Sequence, residues 1–368
     1  MAQPDPALAR LVDRIRAAAA DRQPLDIRGG GTKAFYGGVP VGDALDVRPL
    51  SGISRYEPSE LVVTVRAGTP LAELEAALAE QGQCLAFEPP RFASSSGSGG
   101  TVGGMVAAGL AGPARLAAGG VRDYLLGATM VNGRGEVLSF GGQVMKNVAG
   151  YDVCRVLAGS LGVLGLIAEV SLKVLPLPRA VATTRLELDA AGAIRRVNEL
   201  LGQPLPLNAS AWWDGMLVLR LAGAEAAVQS ALARIGGERV QPAMADPFWL
   251  GLRDHTDEFF AGAARAVAAG AGLWRLSVPA VTPPLKLSGE QLVEWGGGQR
   301  WICTSAPAAT LREAAVAVGG HAVLFRAQDK SAGSFAPLAP ALARIHRGLK
   351  QQFDPAGLFN PGRLLPEL

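Results

Sequence analysis

Three glycine-rich runs in the first half of the chain have residue types suited to binding a diphosphate. Several backbone N–H groups can converge on an anion only where side chains are absent, and glycine provides this close approach. A hydroxyl or ammonium group beside such a run adds a hydrogen bond or a positive charge. The first run is Arg28, Gly29, Gly30, Gly31, Thr32 and Lys33, the second is Gly99, Gly100, Thr101, Val102, Gly103 and Gly104, and the third covers residues 159–167.

Two common nucleotide-binding motifs do not describe the first two runs. They lack the Gly-Lys-Ser/Thr ending of a Walker loop, and their spacing does not match a Rossmann fingerprint. Taken alone, each run is as compatible with a tight turn as with phosphate binding. Because there are three runs and each borders a predicted strand, we predict that they bind phosphate.

The glycine runs alternate with predicted strands up to about Pro178, and the pattern of predicted elements changes after that residue. From residue 179 to 340, strands mix with several helices, which predicts an α+β sheet with helices on one face. The sequence of residues 341–351 predicts one more helix. In the first half, the sequence predicts a helix over residues 70–78. It predicts strands over residues 25–28, 61–65, 121–131, 136–140 and 167–175.

The composition is that of a globular protein of about two domains. The chain has 368 residues, of which 49% are hydrophobic and 18% charged. Its net charge of +3 argues against nucleic-acid binding through bulk charge. The first 20 residues have apolar side chains at helical spacing (Leu8, Leu11, Val12, Ile15), but charged residues interrupt them. This pattern predicts neither a signal peptide nor a membrane span, so we expect a cytoplasmic protein.

Histidines and cysteines are too dispersed to predict a metal site. No histidine has a second histidine or an acidic cluster at ligand spacing, and no Cys-x-x-Cys pair occurs. We therefore expect structural or solvated histidines and free thiols, with no metal and no iron–sulfur cluster held by this chain alone. These residues are His255, His321 and His346, and Cys84, Cys154 and Cys303.

Arginines and tryptophans concentrate between residues 179 and 340. A guanidinium suits a carboxylate, so each arginine beside a predicted strand is a candidate substrate ligand, although solvated or acid-paired roles stay open. The tryptophans suit core positions or a docking surface for a partner. The arginines are Arg220, Arg275, Arg300 and Arg326, and the tryptophans are Trp212, Trp213, Trp274, Trp295 and Trp301.

The order and spacing of these segments resemble the FAD-binding domain of the p-cresol methylhydroxylase/vanillyl-alcohol oxidase type. In that family, loops like the first two glycine runs hold the FAD diphosphate. The resemblance therefore implies FAD as the cofactor and an FAD-binding domain of two α+β subdomains. Beyond the first two runs, the residues that it places at the cofactor are Arg122, Asp123, Gly150, Tyr151, Asp152, Gly159, Ser160, Gly162, Gly165, Ile167 and Asn360.

Further motifs narrow the resemblance to the FAD-binding subunits of glycolate oxidases. They are Phe87-Glu88-Pro89-Pro90 and residues 141–152, 289–297 and 319–326. This resemblance implies an FAD-binding domain over residues 1–178, an α+β cap over 179–340, and a tail over 341–368 that packs on the FAD domain. Because Thr32 and Lys33 stand where some relatives have a flavin-linked histidine, we expect FAD to be bound non-covalently.

The resemblance also implies a role in oxidising glycolate, a small 2-hydroxy acid, to glyoxylate. Electrons would pass through the flavin to a homologous catalytic flavoprotein subunit and an iron–sulfur subunit, which could bring the chain to the inner face of the membrane. Two alternatives stay open: a non-catalytic FAD-binding scaffold, and a self-sufficient FAD-dependent 2-hydroxy acid dehydrogenase. The sequence assigns no catalytic residue. It also leaves open the electron acceptor and the choice between glycolate and D-lactate.

Overall fold

A computed structural model describes residues 5–93, 99–142 and 151–368. Its helices and strands confirm an α+β protein. Among these residues, no helix is both long and apolar enough to cross a bilayer. The helices are α1 (Pro6–Asp21), α2 (Leu71–Glu80), α3 (Val102–Ala108), α4 (Arg115–Ala118), α5 (Val121–Tyr124), α6 (Ala190–Leu201), α7 (Glu225–Ile235), α8 (Pro242–Asp254), α9 (Glu258–Ala268), α10 (Ala308–Ala317) and α11 (Pro340–Phe353).

The strands form two large antiparallel sheets and two small two-stranded ones. The strands are β1 (Leu25–Arg28), β2 (Asp43–Asp46), β3 (Ile53–Glu57), β4 (Val62–Arg66), β5 (Gln83–Cys84), β6 (Leu125–Val131), β7 (Val137–Gly141), β8 (Leu166–Lys173), β9 (Leu175–Pro176), β10 (Ala180–Glu187), β11 (Leu207–Trp213), β12 (Met216–Gly223), β13 (Glu238–Val240), β14 (Gly272–Ser277), β15 (Glu290–Glu294), β16 (Gln299–Thr304) and β17 (His321–Arg326).

A five-stranded sheet in the order β3-β4-β8-β6-β7 organises the first half of the chain. Its central strand, β8, is buried on both faces. Ile167 packs with α2 and α3 on one face. Leu166 and Ala168 pack on the other face with α1 and with Leu25 of β1. The sheet therefore supports the β1 end, where the first glycine run begins.

Two local predictions in this half can be compared with the structure. The helical spacing at the N-terminus is confirmed, since α1 buries Leu11, Val12 and Ile15 and Asp5 caps its start. The strand predicted from residue 121 is wrong at its beginning, because Val121–Tyr124 forms a helical turn and β6 starts at Leu125. The Asp123 carboxylate accepts from the Gly120 N–H (2.8 Å) and stabilises that turn.

An eight-stranded antiparallel sheet, in the order β13-β10-β12-β11-β15-β16-β14-β17, forms the second half. Helices α6, α7 and α10 pack on one face, and α8 and α9 on the other. The expectation of helices on one face only is therefore wrong. The reason lies in strands such as β14, where Leu273 is buried on the α9 side and Trp274 on the α10 side.

The tail returns to the first half of the chain after α11. Lys350 Nζ donates to the carbonyl oxygen of Val163 (2.8 Å) and pairs with Asp354 (2.7 Å). Phe359 then pairs in parallel with Leu25 of β1. These contacts and the two separate sheets support our proposal that the chain divides at the predicted boundaries, into residues 1–178, 179–340 and 341–368.

A buried acid in the large sheet gives a testable pH effect. Glu294 accepts from Trp301 Nε1 (2.6 Å) and Gln299 Nε2 (2.9 Å), and burial raises the pKa of its carboxyl from 4.5 to about 7. Folding therefore favours the protonated acid. The free energy of unfolding should fall by roughly 3 kcal/mol as pH rises from 4.5 to 7 and then level off.

The matched variant is Glu294→Gln, which keeps a carbonyl acceptor for Trp301. Urea unfolding at several pH values should show that this fall is absent in the variant. Equal pH dependence in variant and wild type would contradict the assignment to Glu294.

Candidate functional site

A cleft lies where the first glycine run, the start of α3 and the tail meet. The glycine run follows β1, Thr101 caps α3, and Asn360 arrives from the tail. Residues with small side chains, or with none, make up about half of the wall. The lining residues are Asp26, Ile27, Arg28, Gly29, Gly30, Gly31, Thr32, Lys33, Ala34, Pro40, Thr101, Gly104, Ala107, Ala108, Leu161, Asn360 and Arg363.

The first two glycine runs approach each other too closely for side chains. A Cβ on Gly30 would overlap the carbonyl oxygen of Gly99, and one on Gly29 would overlap Thr101 Oγ1. Thr101 Oγ1 also accepts from the Gly104 N–H (3.3 Å), which fixes the first turn of α3. Glycine at these positions is thus required by the close contact between the two runs. The predicted contact with a diphosphate stays a prediction.

Lys33 brings a positive charge to this cleft. Its ammonium group is withdrawn from solvent, and this desolvation lowers its pKa to about 8, although the charge of Asp254 opposes the shift. A Cβ on Gly100 would lie 3.3 Å from Nζ, so the ammonium sits between the two runs. Desolvation disfavours the charged form of Lys33, and an anion bound in the cleft would stabilise that charged form.

Asn360 links three parts of the site. Its Oδ1 accepts from the Ile27 N–H (2.7 Å), and its Nδ2 donates to the Leu161 carbonyl (2.6 Å). A Cβ on Gly162 would lie 2.7 Å from Nδ2. The asparagine therefore holds the end of β1 against the third glycine run and lines the cleft itself.

Arg363 is a residue that the sequence argument missed. Its guanidinium donates to the carbonyl oxygens of Ala34 (3.0 Å), Tyr36 (2.7 Å) and Gly38. It thereby fixes the backbone that follows the first run. Arg363 is the last residue of the Asn-Pro-Gly-Arg sequence in the tail. Its position three residues after the predicted Asn360 was the only feature of the sequence that could have indicated its role.

The remaining predicted residues do not all reach this cleft. Arg122, Gly159 and Ser160 line a neighbouring cavity of about 240 Å³ that also contains His346. Tyr151 is 96% exposed, and Asp152 pairs with Arg155 (2.7 Å). Gly150 lies outside the described residues.

Four other predicted residues serve packing. Gly103 faces Ala67, whose Cβ would lie 2.7 Å from a Cβ at position 103. Val102 and Ile167 are buried in the core of the five-stranded sheet. A Cβ on Gly165 would lie 2.7 Å from the Val131 carbonyl oxygen. These positions are thus set by close packing against the sheet, away from the cleft.

The four candidate arginines of the cap have different surroundings. Arg220 pairs with Glu88 (2.7 Å). Arg300 is buried and donates to the carbonyl oxygens of Gly297 and Thr282 (2.7 Å each). Both therefore have partners that account for their positions.

Arg275 and Arg326 lie beside the segment that follows the first run. Arg275 Nη2 donates to Tyr36 Oη (3.0 Å), while its buried Nε has no hydrogen-bond partner. The Arg326 guanidinium lies 3.5 Å from the Phe35 ring centroid, and burial lowers its pKa to about 10. Within the described part of the chain, no carboxylate pairs with either arginine. This pair of cations can bind an anion.

The three histidines provide no metal site in the described part of the chain. His255 stacks on Phe260 with ring centroids 3.7 Å apart, and burial lowers its pKa well below 6.5, so it is neutral. His321 begins β17, and His346 lies on α11.

The tryptophans mostly serve the interior of the cap. Trp274 and Trp301 are buried, as is Trp249. Trp212 and Trp295 are half-buried and donate to the carbonyl oxygens of Leu188 and Gly112. Most of these side chains therefore pack within the cap. The docking of a partner on the cap stays a prediction.

Comparison with known proteins identifies the family. A model of the FAD binding domain matches residues 8–141. The chain is 45% identical over 358 residues to the glycolate oxidase subunit GlcE of Escherichia coli (strain K12), covering 97% of both chains. The chain belongs to the GlcE family.

More distant relatives agree with this assignment. The glycolate oxidase subunit GlcD of Bacillus subtilis (strain 168) is 31% identical over 209 residues, which cover 52% of this chain and 43% of that protein. A solved structure of alkyldihydroxyacetonephosphate synthase superposes with a TM-score of 0.65 at 14% identity, over 96% of this chain and 74% of that one. That likeness shows the fold, which is the expected p-cresol methylhydroxylase type. This GlcE-family chain is thus an FAD-dependent oxidoreductase subunit.

Proposed function

We propose that the cleft holds the FAD diphosphate through the first glycine run, the second run from Gly99 to Gly104, and Asn360. The lining glycines place no side chains in the cleft, and Lys33 supplies a charge that no ion pair in the described chain neutralises. The other predicted residues between Arg122 and Gly162 would surround the rest of the cofactor, whereas Gly165 and Ile167 pack against the sheet. With no histidine before His255, the attachment is non-covalent.

We further propose that the chain is the FAD-binding subunit of a glycolate oxidase complex. The observation that carries this proposal is the 45% identity to GlcE across 97% of both chains, which includes the variable cap. The partners are a homologous catalytic flavoprotein, similar to GlcD, and an iron–sulfur subunit, through which the complex could reach the membrane. Bound FAD would accept a hydride from the carbon that carries the substrate hydroxyl.

Arg275 and Arg326 are our candidates to bind the carboxylate of that 2-hydroxy acid. They lie on adjacent strands of the cap and face the Phe35–Tyr36 segment that follows the first glycine run. The unpartnered Nε of Arg275 is a buried donor that a carboxylate would satisfy.

Replacing Arg275 with methionine should raise the KM for glycolate about 10- to 100-fold in the reconstituted complex. A hydrogen bond to a charged group contributes roughly 1.5–3 kcal/mol, and methionine removes it while keeping the apolar stem. The matched control is Arg239→Met on the exposed β13 strand, which should leave KM unchanged. An unchanged KM for Arg275→Met would assign substrate binding to the partner and favour the scaffold role.

Anaerobic titration separates the proposed function from its alternatives. Glycolate and D-lactate are added first to the isolated chain and then to the complex, while flavin absorbance is followed. We expect bleaching of this chain's flavin only when the partner subunit is present. Full bleaching of the isolated chain would instead show a self-sufficient dehydrogenase, and no bleaching of its flavin in the complex would show a scaffold.

A further inference from the structure

Tyr36 is held in place where the first glycine run meets the cap. Its main-chain N–H donates to the Lys33 carbonyl oxygen (3.0 Å), and its own carbonyl oxygen accepts from Arg363 Nη2 (2.7 Å). Its ring packs against Phe325 of β17 and against Phe335, with ring centroids 5.2 and 5.5 Å away. The residue is only 4% exposed. Main-chain and ring contacts together therefore fix the position of the phenol oxygen.

The hydroxyl of Tyr36 has a proton that it can donate. A guanidinium has only donors, so in the contact between Arg275 Nη2 and Tyr36 Oη (3.0 Å) the phenol oxygen is the acceptor. The phenol O–H must therefore point in another direction, and no acceptor for it lies among the described residues. Because a buried O–H without an acceptor is costly, this donor is available to a molecule that binds here.

A second unsatisfied donor lies on the partner of this hydroxyl. Arg275 Nε is buried and has no hydrogen-bond partner in the part of the chain that the structure describes. The guanidinium carbons of Arg275 and Arg326 lie 5.7 and 5.9 Å from the same ring centroid, that of Phe325. Two free donors beside two cations favour an anion with several acceptor oxygens, because hydrogen bonds between ionised groups are the strong ones.

We propose that Tyr36 is a further substrate-binding residue, which donates its phenol O–H to the carboxylate that Arg275 Nε binds. The inference rests on the proposed function and extends the role proposed there for Arg275 and Arg326. A carboxylate has two oxygens with about four acceptor positions, so it can accept from Tyr36 and Arg275 together. Since Tyr36 follows Lys33 by three residues, one short segment would then contact both the cofactor diphosphate and the substrate.

The test measures the binding of oxalate to the purified full chain with its flavin by calorimetry. Oxalate is a two-carbon carboxylate without a C–H hydrogen, so it binds without being oxidised. Tyr36→Phe keeps the ring contacts and removes only the hydroxyl. The Kd for oxalate should rise about 10-fold or more, the effect of losing a hydrogen bond to a charged group. The matched control is Tyr56→Phe, which removes a hydroxyl bonded to Gln83 and should leave the Kd unchanged.

A double variant separates direct contact with the carboxylate from mere orientation of Arg275. If Tyr36 binds the carboxylate itself, Tyr36→Phe should raise the Kd for oxalate further in the Arg275→Met background. If Tyr36 only orients Arg275, the double variant should bind oxalate as Arg275→Met alone does, and that result would overturn the proposal.

Acetate, measured by competition with oxalate, tests which oxygen Tyr36 contacts. It has the carboxylate but no oxygen on its second carbon, so Tyr36→Phe should weaken the binding of both ligands by a similar factor. A loss for oxalate alone would overturn the assignment to the shared carboxylate. An unchanged Kd for both ligands would overturn the role of Tyr36 and leave the proposed function intact. A wild-type chain that binds neither ligand would overturn the proposed carboxylate site of Arg275 and Arg326 as well.

Discussion

Gly30→Val protein should purify with little or no flavin. The valine Cβ would overlap the Gly99 carbonyl oxygen, so the two glycine runs would have to separate. Overpacking of this kind costs roughly 1–3 kcal/mol, which corresponds to a loss of FAD affinity of about 5- to 150-fold. The flavin-to-protein absorbance ratio after gel filtration measures the effect.

Two comparison variants show whether the loss is specific. Gly348→Ala on α11 places a Cβ in open space and should keep the full flavin content. Gly103→Val should lose flavin together with thermal stability, because its side chain would strike Ala67 in the packing of α3 against the sheet. Full flavin content in Gly30→Val would contradict the proposed diphosphate site.

Asp354→Ala should destabilise the protein by about 3–5 kcal/mol. Its carboxylate accepts from Lys350 Nζ (2.7 Å) and from the N–H groups of Leu358 (3.0 Å) and Phe359 (2.8 Å). Alanine would leave the buried Lys350 ammonium without its ion-pair partner, and breaking a buried pair from one side costs this much. Urea unfolding at pH 7 measures the change.

The variant should also reduce FAD affinity, since the same turn leads to Phe359 and Asn360. The control is Asp329→Ala, an exposed aspartate whose side chain bonds only to Ser331 among the described residues, which should leave the free energy of unfolding unchanged. If the free energy of unfolding fell no further in Asp354→Ala than in this control, other contacts would hold the tail.

The sequence predicted the parts of the site that depend on local chemistry. Glycine runs next to strands indicated where the backbone must approach an anion, and the resemblance of the tail indicated that Asn360 would return. Gly29, Gly30 and Asn360 do meet at one cleft. The glycine positions follow from residue type and spacing within a few positions, whereas the position of Asn360 was implied by the resemblance alone.

Features that depend on long-range packing could not be predicted in this way. Gly103 lies in the same run as Gly100, but the rotation of α3 turns it toward Ala67. The two covered faces of the cap sheet require α8 and α9, and the prolines at 242 and 247 disguise the helical pattern of α8. Arg363 acts through three carbonyl oxygens that lie more than 300 positions away in the sequence.

The most direct test of the central claim, that this chain holds FAD non-covalently between the two glycine runs and the tail, is acid precipitation of the purified chain. The supernatant is then analysed for flavin by chromatography. We predict an equimolar amount of FAD in the supernatant of the wild-type chain and almost none from Gly30→Val. A wild-type chain without flavin, or with flavin retained in the precipitate, would contradict the account.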